Sequence, residues 1–140
     1  MAKEFTLGKN ERLKSRKLIE QLFSEGKSFA AGPFRVYYFI SVAANNVSSS
    51  SFNVQFGTGV SSKNFKRAVD RNRIKRLTRE AYRLQKLPLY DKVKEKKIQL
   101  NIFFIYTGKE LPDFKLAKDK VAVALKKLYN IVDESAAAGT

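Results

Sequence analysis

A basic segment with helical periodicity lies between two extended apolar runs, and this order constrains the fold of the chain more than any other feature. Ten of the 24 residues in 63–86 are Lys or Arg and two are acidic, so the segment carries +8 of the chain's net charge of +15. The flanking runs, 52–60 and Ile98–Tyr106, are rich in β-branched and aromatic residues, which is typical of strands. A strand–helix–strand unit predicts a parallel pair within a mixed sheet.

Further elements follow from the local pattern. Ser15 and Gly26 predict the ends of a first helix, Arg16–Glu25, with a buried stripe of Leu18, Ile19, Leu22 and Phe23. Phe34–Val42 alternates as a strand, and a final helix is predicted from 114 to about 132, with Leu116, Val121, Leu125 and Leu128 facing inward. Gly57 and Gly59 indicate a bulge or a close backbone approach. The Ser-rich stretch 43–51 is predicted to be a loop. Pro88 is predicted to end or kink the basic helix.

The chain has the length and composition of one folded domain. With 140 residues and 44% hydrophobic residues, we expect a single domain over 1–140, with an ordered core of about 5–132 and a flexible tail at 135–140. The chain contains no Cys and no His, which excludes disulfides and thiolate chemistry and removes the commonest general base. No signal peptide or membrane-length apolar run is visible, so we expect a cytoplasmic protein that does not bind membranes.

Helical phase divides the basic segment into two faces. Ile74, Leu77, Ala81 and Leu84 fall in a sector of roughly 80°, and most cations, from Arg71 to Lys86, sweep the opposite side. A solvated charged face is the ordinary interpretation of such a pattern. Two acids cannot pair ten bases, however, and like charges four residues apart cost helix stability, which favours an anionic partner. Guanidinium groups can hold phosphate with two hydrogen bonds, so nucleic acid is the predicted partner.

A second candidate surface lies on the strand Phe34–Val42. Alternation places Arg35, Tyr37 and Phe39 on one face, and aromatic rings beside a cation can stack single-stranded bases. The alternative is that the first helix simply covers this face.

The basic segment resembles the protein component of bacterial ribonuclease P. The resemblance is strongest over 57–83. It rests on Ala68-Val69-Asp70-Arg71-Asn72-Arg73-Ile74-Lys75-Arg76-Leu77, followed by Arg79-Glu80-Ala81-Tyr82. It implies a single-domain αβββαβα sandwich, similar to the second domain of a small-subunit ribosomal protein. It also implies a short extra strand near 28–31 and a left-handed crossover between the parallel strands, where general handedness rules predict a right-handed one.

The resemblance also implies two binding surfaces. The catalytic RNA would contact Lys63, Lys66, Arg67, Arg71, Asn72, Arg73, Lys75, Arg76 and Arg79. The 5′ leader of precursor tRNA would lie beside Lys14, Arg16, Lys17, Phe23, Arg35, Tyr37 and Phe39. The protein would assist Mg²⁺-dependent endonucleolytic removal of the leader, with Mg²⁺ bound mainly by the RNA, no catalytic side chain in the protein, and one protein copy per RNA.

Three other functions fit parts of the sequence. A structural or chaperone-like RNA-binding protein of the ribosomal type, without a processing role, fits the composition equally well. A DNA-binding helix-turn-helix is disfavoured because strands, and not a partner helix, flank the basic helix. A stand-alone carboxylate-metal nuclease is disfavoured because the 13 acidic residues form no obvious cluster near the strands.

Overall fold

A computed structural model describes residues 12–13, 15–42 and 54–138. The elements are α1 (Arg16–Glu25), β1 (Lys27–Ala31), β2 (Phe34–Val42), β3 (Val54–Val60), α2 (Ala68–Gln85), α3 (Leu87–Lys96), β4 (Ile98–Tyr106) and α4 (Phe114–Ala138). The predicted loop at 43–51 and the beginning of the predicted ordered core, 5–11, lie outside the described residues. Helix α4 extends to Ala138, beyond its predicted end near 132, and the flexibility predicted for 135–140 stays a prediction.

The four strands form one mixed sheet in the order β1-β2-β4-β3. β1 and β2 pair antiparallel, as do β2 and β4, whereas β3 and β4 are parallel, with Phe56 opposite Ile102. The predicted parallel pair and the short extra strand near 28–31 are therefore confirmed. The handedness of the crossover from β3 to β4 stays a prediction.

Helix α3 is the element that the sequence interpretation missed. The implied αβββαβα order has one helix between the third and fourth strands, and the chain has two. Pro88 explains the break, because it has no N–H to donate to the carbonyl of Leu84 and it lies within the first two residues of α3. Within the basic segment 63–86 the helix begins at Ala68, so Lys63, Lys66 and Arg67 precede it.

The main core lies between one face of the sheet and the helices α2, α3 and α4. It contains Phe34, Val36, Phe56, Ile102 and Phe104 from the strands. From the helices it contains Ile74, Tyr82, Leu89, Val93, Val121, Leu125 and Leu128, among others. Leu116, predicted to face inward, is instead exposed at the first turn of α4. The strand alternation predicted for β2 is confirmed, since Phe34 and Val36 are buried on this face.

The buried stripe of α2 is rotated by roughly 65° from the predicted sector, taking 100° per residue. The buried residues are Ile74, Thr78, Ala81 and Tyr82, whereas Leu77 is partly buried and Leu84 is 38% exposed. Tyr82 stacks on Phe56 with ring centroids 3.8 Å apart and ring planes 9° apart. The Thr78 hydroxyl donates to the carbonyl of Ile74 at 2.8 Å, so this polar side chain is buried with its hydrogen bond satisfied.

Helix α1 packs on the opposite face of the sheet, against β2 and β4. As predicted, Ser15 caps it, accepting a hydrogen bond from the N–H of Leu18 at 3.4 Å. Gly26 ends it with an extended backbone, and a Cβ there would lie 2.4 Å from the carbonyl oxygen of Leu22. Of the predicted stripe only Leu22 is fully buried, and Phe23 is 43% exposed. Within the described part of the chain, no helix is long and apolar enough to span a membrane.

Candidate nucleic-acid interface

The basic surface is formed by α2 and the turn before it. It comprises the residues predicted to contact RNA: Lys63, Lys66, Arg67, Arg71, Asn72, Arg73, Lys75, Arg76 and Arg79. Lys75 and Arg71 are partly buried, and the others are exposed. The buried stripe of α2 leaves about half of the helix circumference to solvent, and the exposed residues Asn72, Arg73, Arg76 and Arg79 lie on that part of the helix.

Few carboxylates neutralise this surface. Asp70 lies 4.0 Å from the Arg67 guanidinium, and Glu80 pairs with Arg83. Among the described residues, no carboxylate lies within 4.0 Å of the cationic groups of Arg73, Lys75 or Arg76. The excess of positive charge expected from the sequence is therefore present on this surface of the folded chain. It produces a positive potential that attracts polyanions.

Arg71 also has a structural task. Its Nη1 donates to the carbonyl oxygens of Phe65, at 2.9 Å, and Lys66, at 2.7 Å. These two bonds hold the segment before α2 against the first turn of the helix. Arg71 therefore positions Lys66 and Arg67 on the basic surface.

Arg12 extends the basic surface beyond α2. It forms an isolated bridge to Phe56 at the edge strand β3, and the N–H of Leu13 donates to the Phe56 carbonyl at 2.8 Å. Partial desolvation, and then the charge of Arg12, lower the pKa of Arg79. Sequence reasoning did not count Arg12 among the binding residues, since its proximity to Arg79 depends on how the N-terminal segment crosses β3.

Helical phase assigned Lys86 and Arg83 to the basic face, but each has a partner within the protein. Lys86 is only 2% exposed, and its ammonium group lies 5.1 Å from the ring centroid of Tyr90. Arg83 is partly buried, and its guanidinium donates to both carboxylate oxygens of Glu80. This hydrogen bonding lowers the pKa of Glu80 and raises that of Arg83.

The aromatic platform is a cluster of three rings on the face of the sheet that carries α1. Phe23 meets Tyr37 edge-on with centroids 4.8 Å apart, and meets Phe103 edge-on at 5.3 Å. Because Phe23 remains 43% exposed, α1 covers this face only in part. The rings therefore offer an accessible surface for unpaired bases.

Sequence reasoning missed Phe103 as a member of the platform. The signal was present in the two glycines of β3, since a Cβ at Gly57 would lie 2.7 Å from Phe103 Cδ2 and one at Gly59 would lie 3.2 Å from Cε1. The Phe103 ring thus lies over the backbone of β3. The predicted close approach at these glycines is confirmed, and the register of β4 against β2 and β3 identifies the ring involved.

The other predicted leader-binding residues lie at several places around the platform. Arg16 and Lys17 are exposed on the first turn of α1, and Arg35 is exposed on β2 two residues before Tyr37. Phe39 has no contact with the other described rings and instead lines a groove of about 320 Å³ with Glu25 and Lys27. Lys14 lies outside the described residues.

Acidic residues form no metal-binding cluster in the described part of the chain. In these ranges no group of three or more His, Cys, Asp or Glu side chains is placed to hold a metal ion.

Comparison with known proteins gives a consistent result. The model of the Ribonuclease P family matches residues 7–129. The ribonuclease P protein component of Porphyromonas gingivalis is 42% identical over 132 residues, covering 94% of this chain and 93% of that protein. That of Chlorobium phaeobacteroides is 38% identical over 133 residues, covering 90% and 88%.

Solved structures show the same fold. The Staphylococcus aureus RNase P protein superimposes with a TM-score of 0.60 at 20% identity, over 85% of this chain and 97% of that one. The RNase P protein from Thermotoga maritima gives 0.58 at 25% identity, over 84% and 96%. With a family match over most of the chain and relatives of about 40% identity along its length, the chain belongs to the Ribonuclease P family.

Proposed function

We propose that this chain is the protein subunit of ribonuclease P and acts in tRNA processing with a ribonuclease P RNA as its partner. The observation that carries the proposal is the basic surface, where the exposed Arg73 and Arg76 and the partly buried Lys75 have no carboxylate within 4.0 Å among the described residues. Family membership indicates which polyanion this surface meets.

The basic surface would dock the catalytic RNA. Arg73, Arg76 and Arg79 point outward from three successive turns of α2, at a spacing that can follow a phosphate backbone. Arg71 would act partly through the loop that it holds, since its Nη1 is committed to two carbonyls.

The aromatic platform would bind the 5′ leader of precursor tRNA. Phe23, Tyr37 and Phe103 present ring surfaces to which single-stranded bases can stack without sequence readout, and Arg35 supplies a nearby cation. Arg16 and Lys17 lie one to two turns before Phe23 on α1, where they would contact leader phosphates.

Arg12 would connect the two surfaces. It lies at β3, the edge strand between the face that carries α2 and the face that carries α1, and its charge acts on Arg79. A continuous cationic path around this edge would let one RNA assembly contact both faces.

The hydrolytic chemistry would belong to the RNA. Mg²⁺, bound mainly by the RNA, would supply the metal-ion chemistry of phosphodiester hydrolysis. The residues of this chain would reduce phosphate repulsion and hold the leader, and no side chain of the protein would act as acid, base or nucleophile. One protein copy would bind per catalytic RNA.

Reconstitution with the cognate catalytic RNA tests the proposal. We expect the full chain to stimulate removal of the 5′ leader at low Mg²⁺ concentration, and we expect the RNA-free protein to cleave nothing. Absence of stimulation, with RNA binding intact, would favour a structural RNA-binding role. Cleavage by the RNA-free protein would contradict the assignment of chemistry to the RNA.

A further inference from the structure

A short loop before α2 carries three cations of the basic surface. This loop, residues 61–67, joins β3 to α2 and is called the docking loop. Its cations, Lys63, Lys66 and Arg67, are all exposed. Because like charges repel one another, a loop without fixed contacts would let these cations move apart into solvent.

Two contacts fix the docking loop at the end that joins α2. Phe65 is buried, and its ring centroid lies 6.1 Å from that of Tyr106. The Arg71 guanidinium donates to the carbonyls of Phe65 and Lys66. These contacts position the second half of the loop, which contains Lys66 and Arg67.

Asn64 fixes the docking loop at a further point, beside Lys63. Its Nδ2 donates to the carbonyl oxygen of Thr107 at 3.1 Å and to that of Gly108 at 3.3 Å, so it joins segments 43 and 44 residues apart in the chain. The acceptor Thr107 is itself held, since it donates to the Pro33 carbonyl from its N–H at 2.7 Å and from its hydroxyl at 2.9 Å. Asn64 thus ties the loop to a fixed point at the end of β4.

The core of the fold depends little on the hydrogen bonds of Asn64. Thr107 is exposed, and Asn64 and Gly108 are only partly buried, so water can reach these groups. Losing a hydrogen bond between solvent-accessible groups costs little stability, because water replaces the missing partner. The bonds of Asn64 therefore determine mainly the direction of the docking loop and of Lys63.

We propose that Asn64 is a positioning residue for docking of the catalytic RNA. It holds the docking loop in the shape in which Lys63 and Lys66 reach RNA phosphates, and it does not contact the RNA itself. Affinity is gained because the loop is already ordered before the RNA binds. The inference rests on the proposed function, in which the basic surface binds a ribonuclease P RNA.

Asn64→Ala in the full chain tests the inference, because it removes both hydrogen bonds and changes no charge. We expect binding of the catalytic RNA to weaken about 5-fold at physiological salt. The slope of log K against log salt concentration should become shallower by about 1–2, as the phosphate contacts of Lys63 and Lys66 are lost. A loss of affinity with an unchanged slope would overturn the inference, since it would indicate a general loss of folded protein.

Asn130→Ala is the matched control, at an exposed asparagine on α4. Its RNA affinity and its salt slope should equal those of the wild type. An equal loss of affinity in both alanine variants would contradict a specific role of Asn64.

A double-mutant cycle separates positioning from direct contact. The second background carries Lys63→Gln and Lys66→Gln, which remove the cations that Asn64 positions. We expect Asn64→Ala to weaken RNA binding by less than about twofold in this background. An equal effect in both backgrounds would overturn the inference in favour of a direct contact between Asn64 and the RNA.

NMR relaxation of the free protein measures the docking loop directly. In Asn64→Ala the backbone amides of residues 62–66 should become more mobile on the picosecond-to-nanosecond timescale, and those of β4 should not change. Unchanged mobility of the loop would overturn the inference. If the wild type does not bind the catalytic RNA, the proposed function is wrong and the inference fails with it. If the wild type and Asn64→Ala bind it equally, with equal slopes, the inference alone is wrong.

Discussion

The basic surface on α2 and the aromatic platform beside α1 lie on opposite faces of one sheet, and different forces act on them. The first has exposed guanidinium and ammonium groups with few carboxylates nearby. The second has three rings in edge-on contact and its cations at the margin. Binding at the first surface should therefore depend steeply on salt, whereas stacking at the second should depend on it weakly.

Because of this difference, general attraction of RNA and stacking on unpaired bases would depend on two separate surfaces. Charge on an outward-facing helix gives strong attraction with little dependence on base identity. The partly covered rings of the aromatic platform can stack only on bases that are unpaired and can reach them. The two surfaces can thus be altered independently, and the following predictions use that independence.

The largest effect is expected from the triple substitution Arg73→Gln, Arg76→Gln and Arg79→Gln. Loss of three charge-assisted phosphate contacts should weaken binding of the catalytic RNA by roughly 100-fold or more at physiological salt. The slope of log K against log salt concentration should become shallower by about 2–3. Equilibrium binding at several salt concentrations measures both quantities.

A triple variant of equal charge provides the control. Lys94→Gln, Lys109→Gln and Lys115→Gln remove three exposed cations outside the basic surface. If this control weakens RNA binding as much as the arginine variant does, net charge alone drives docking, and the proposed surface is wrong.

A smaller effect, confined to the leader, is expected from Phe23→Ala. Removing one stacking ring should reduce the affinity gained from the leader by about 10-fold, since base–aromatic stacking contributes about 1–3 kcal/mol per base. The measurement is the affinity of the reconstituted complex for precursor tRNA with and without its leader. The salt dependence should be unchanged.

Phe23→Leu separates ring stacking from apolar bulk, and Leu111→Ala provides a control at another exposed apolar side chain. In Phe23→Leu, most of the affinity gained from the leader should be lost. In Leu111→Ala, the affinity gained from the leader should be unchanged. Equal leader affinity for the wild type and Phe23→Ala would remove the platform from the binding model.

A third substitution tests Phe103 through the backbone beneath it. In Gly57→Ala the new methyl group would lie 2.7 Å from Phe103 Cδ2, so the ring must move. We expect a several-fold loss of leader affinity and a loss of about 1–3 kcal/mol in the free energy of unfolding. Urea denaturation and leader binding measure the two effects.

Gly59→Ala is the graded control, because its methyl group would approach Phe103 no closer than 3.2 Å. Its effects on both quantities should be smaller than those of Gly57→Ala. Loss of stability in Gly57→Ala without any loss of leader affinity would show that Phe103 supports the fold and not the leader.

The sequence predicted best those elements whose pattern is local. The cap at Ser15, the bounds of α1 and β4 and the alternation of β2 depend on neighbouring residues, and the structure confirms them. The parallel pairing of β3 and β4 followed from chain order. These features require no knowledge of distant contacts.

The features that were wrong or missed depend on tertiary contacts. The buried stripe of α2 is turned toward Tyr82 because Tyr82 stacks on Phe56, a residue 26 positions earlier. Phe103 joins the platform, and Phe39 does not, because of the position of α1 over the sheet. Pro88 marked a break correctly, but periodicity did not reveal that a new helix would follow.

The smallest effect is expected from Glu80→Gln, which removes one of the two acids from the basic segment. Affinity for the catalytic RNA should rise by about twofold, because Arg83 loses its carboxylate partner and the net charge of the surface increases.

The free energy of unfolding of Glu80→Gln should fall slightly at pH 7. Hydrogen bonding to Arg83 holds the pKa of Glu80 below its ordinary value of 4.5 in the folded chain. The stabilisation from Glu80 is therefore complete above that ordinary value and disappears as the pH falls through the lowered pKa. Urea denaturation should thus show a difference between wild type and variant at pH 7 that vanishes in strong acid. A difference that persists there would mean that the Glu80 side chain stabilises α2 through packing and not through its charge.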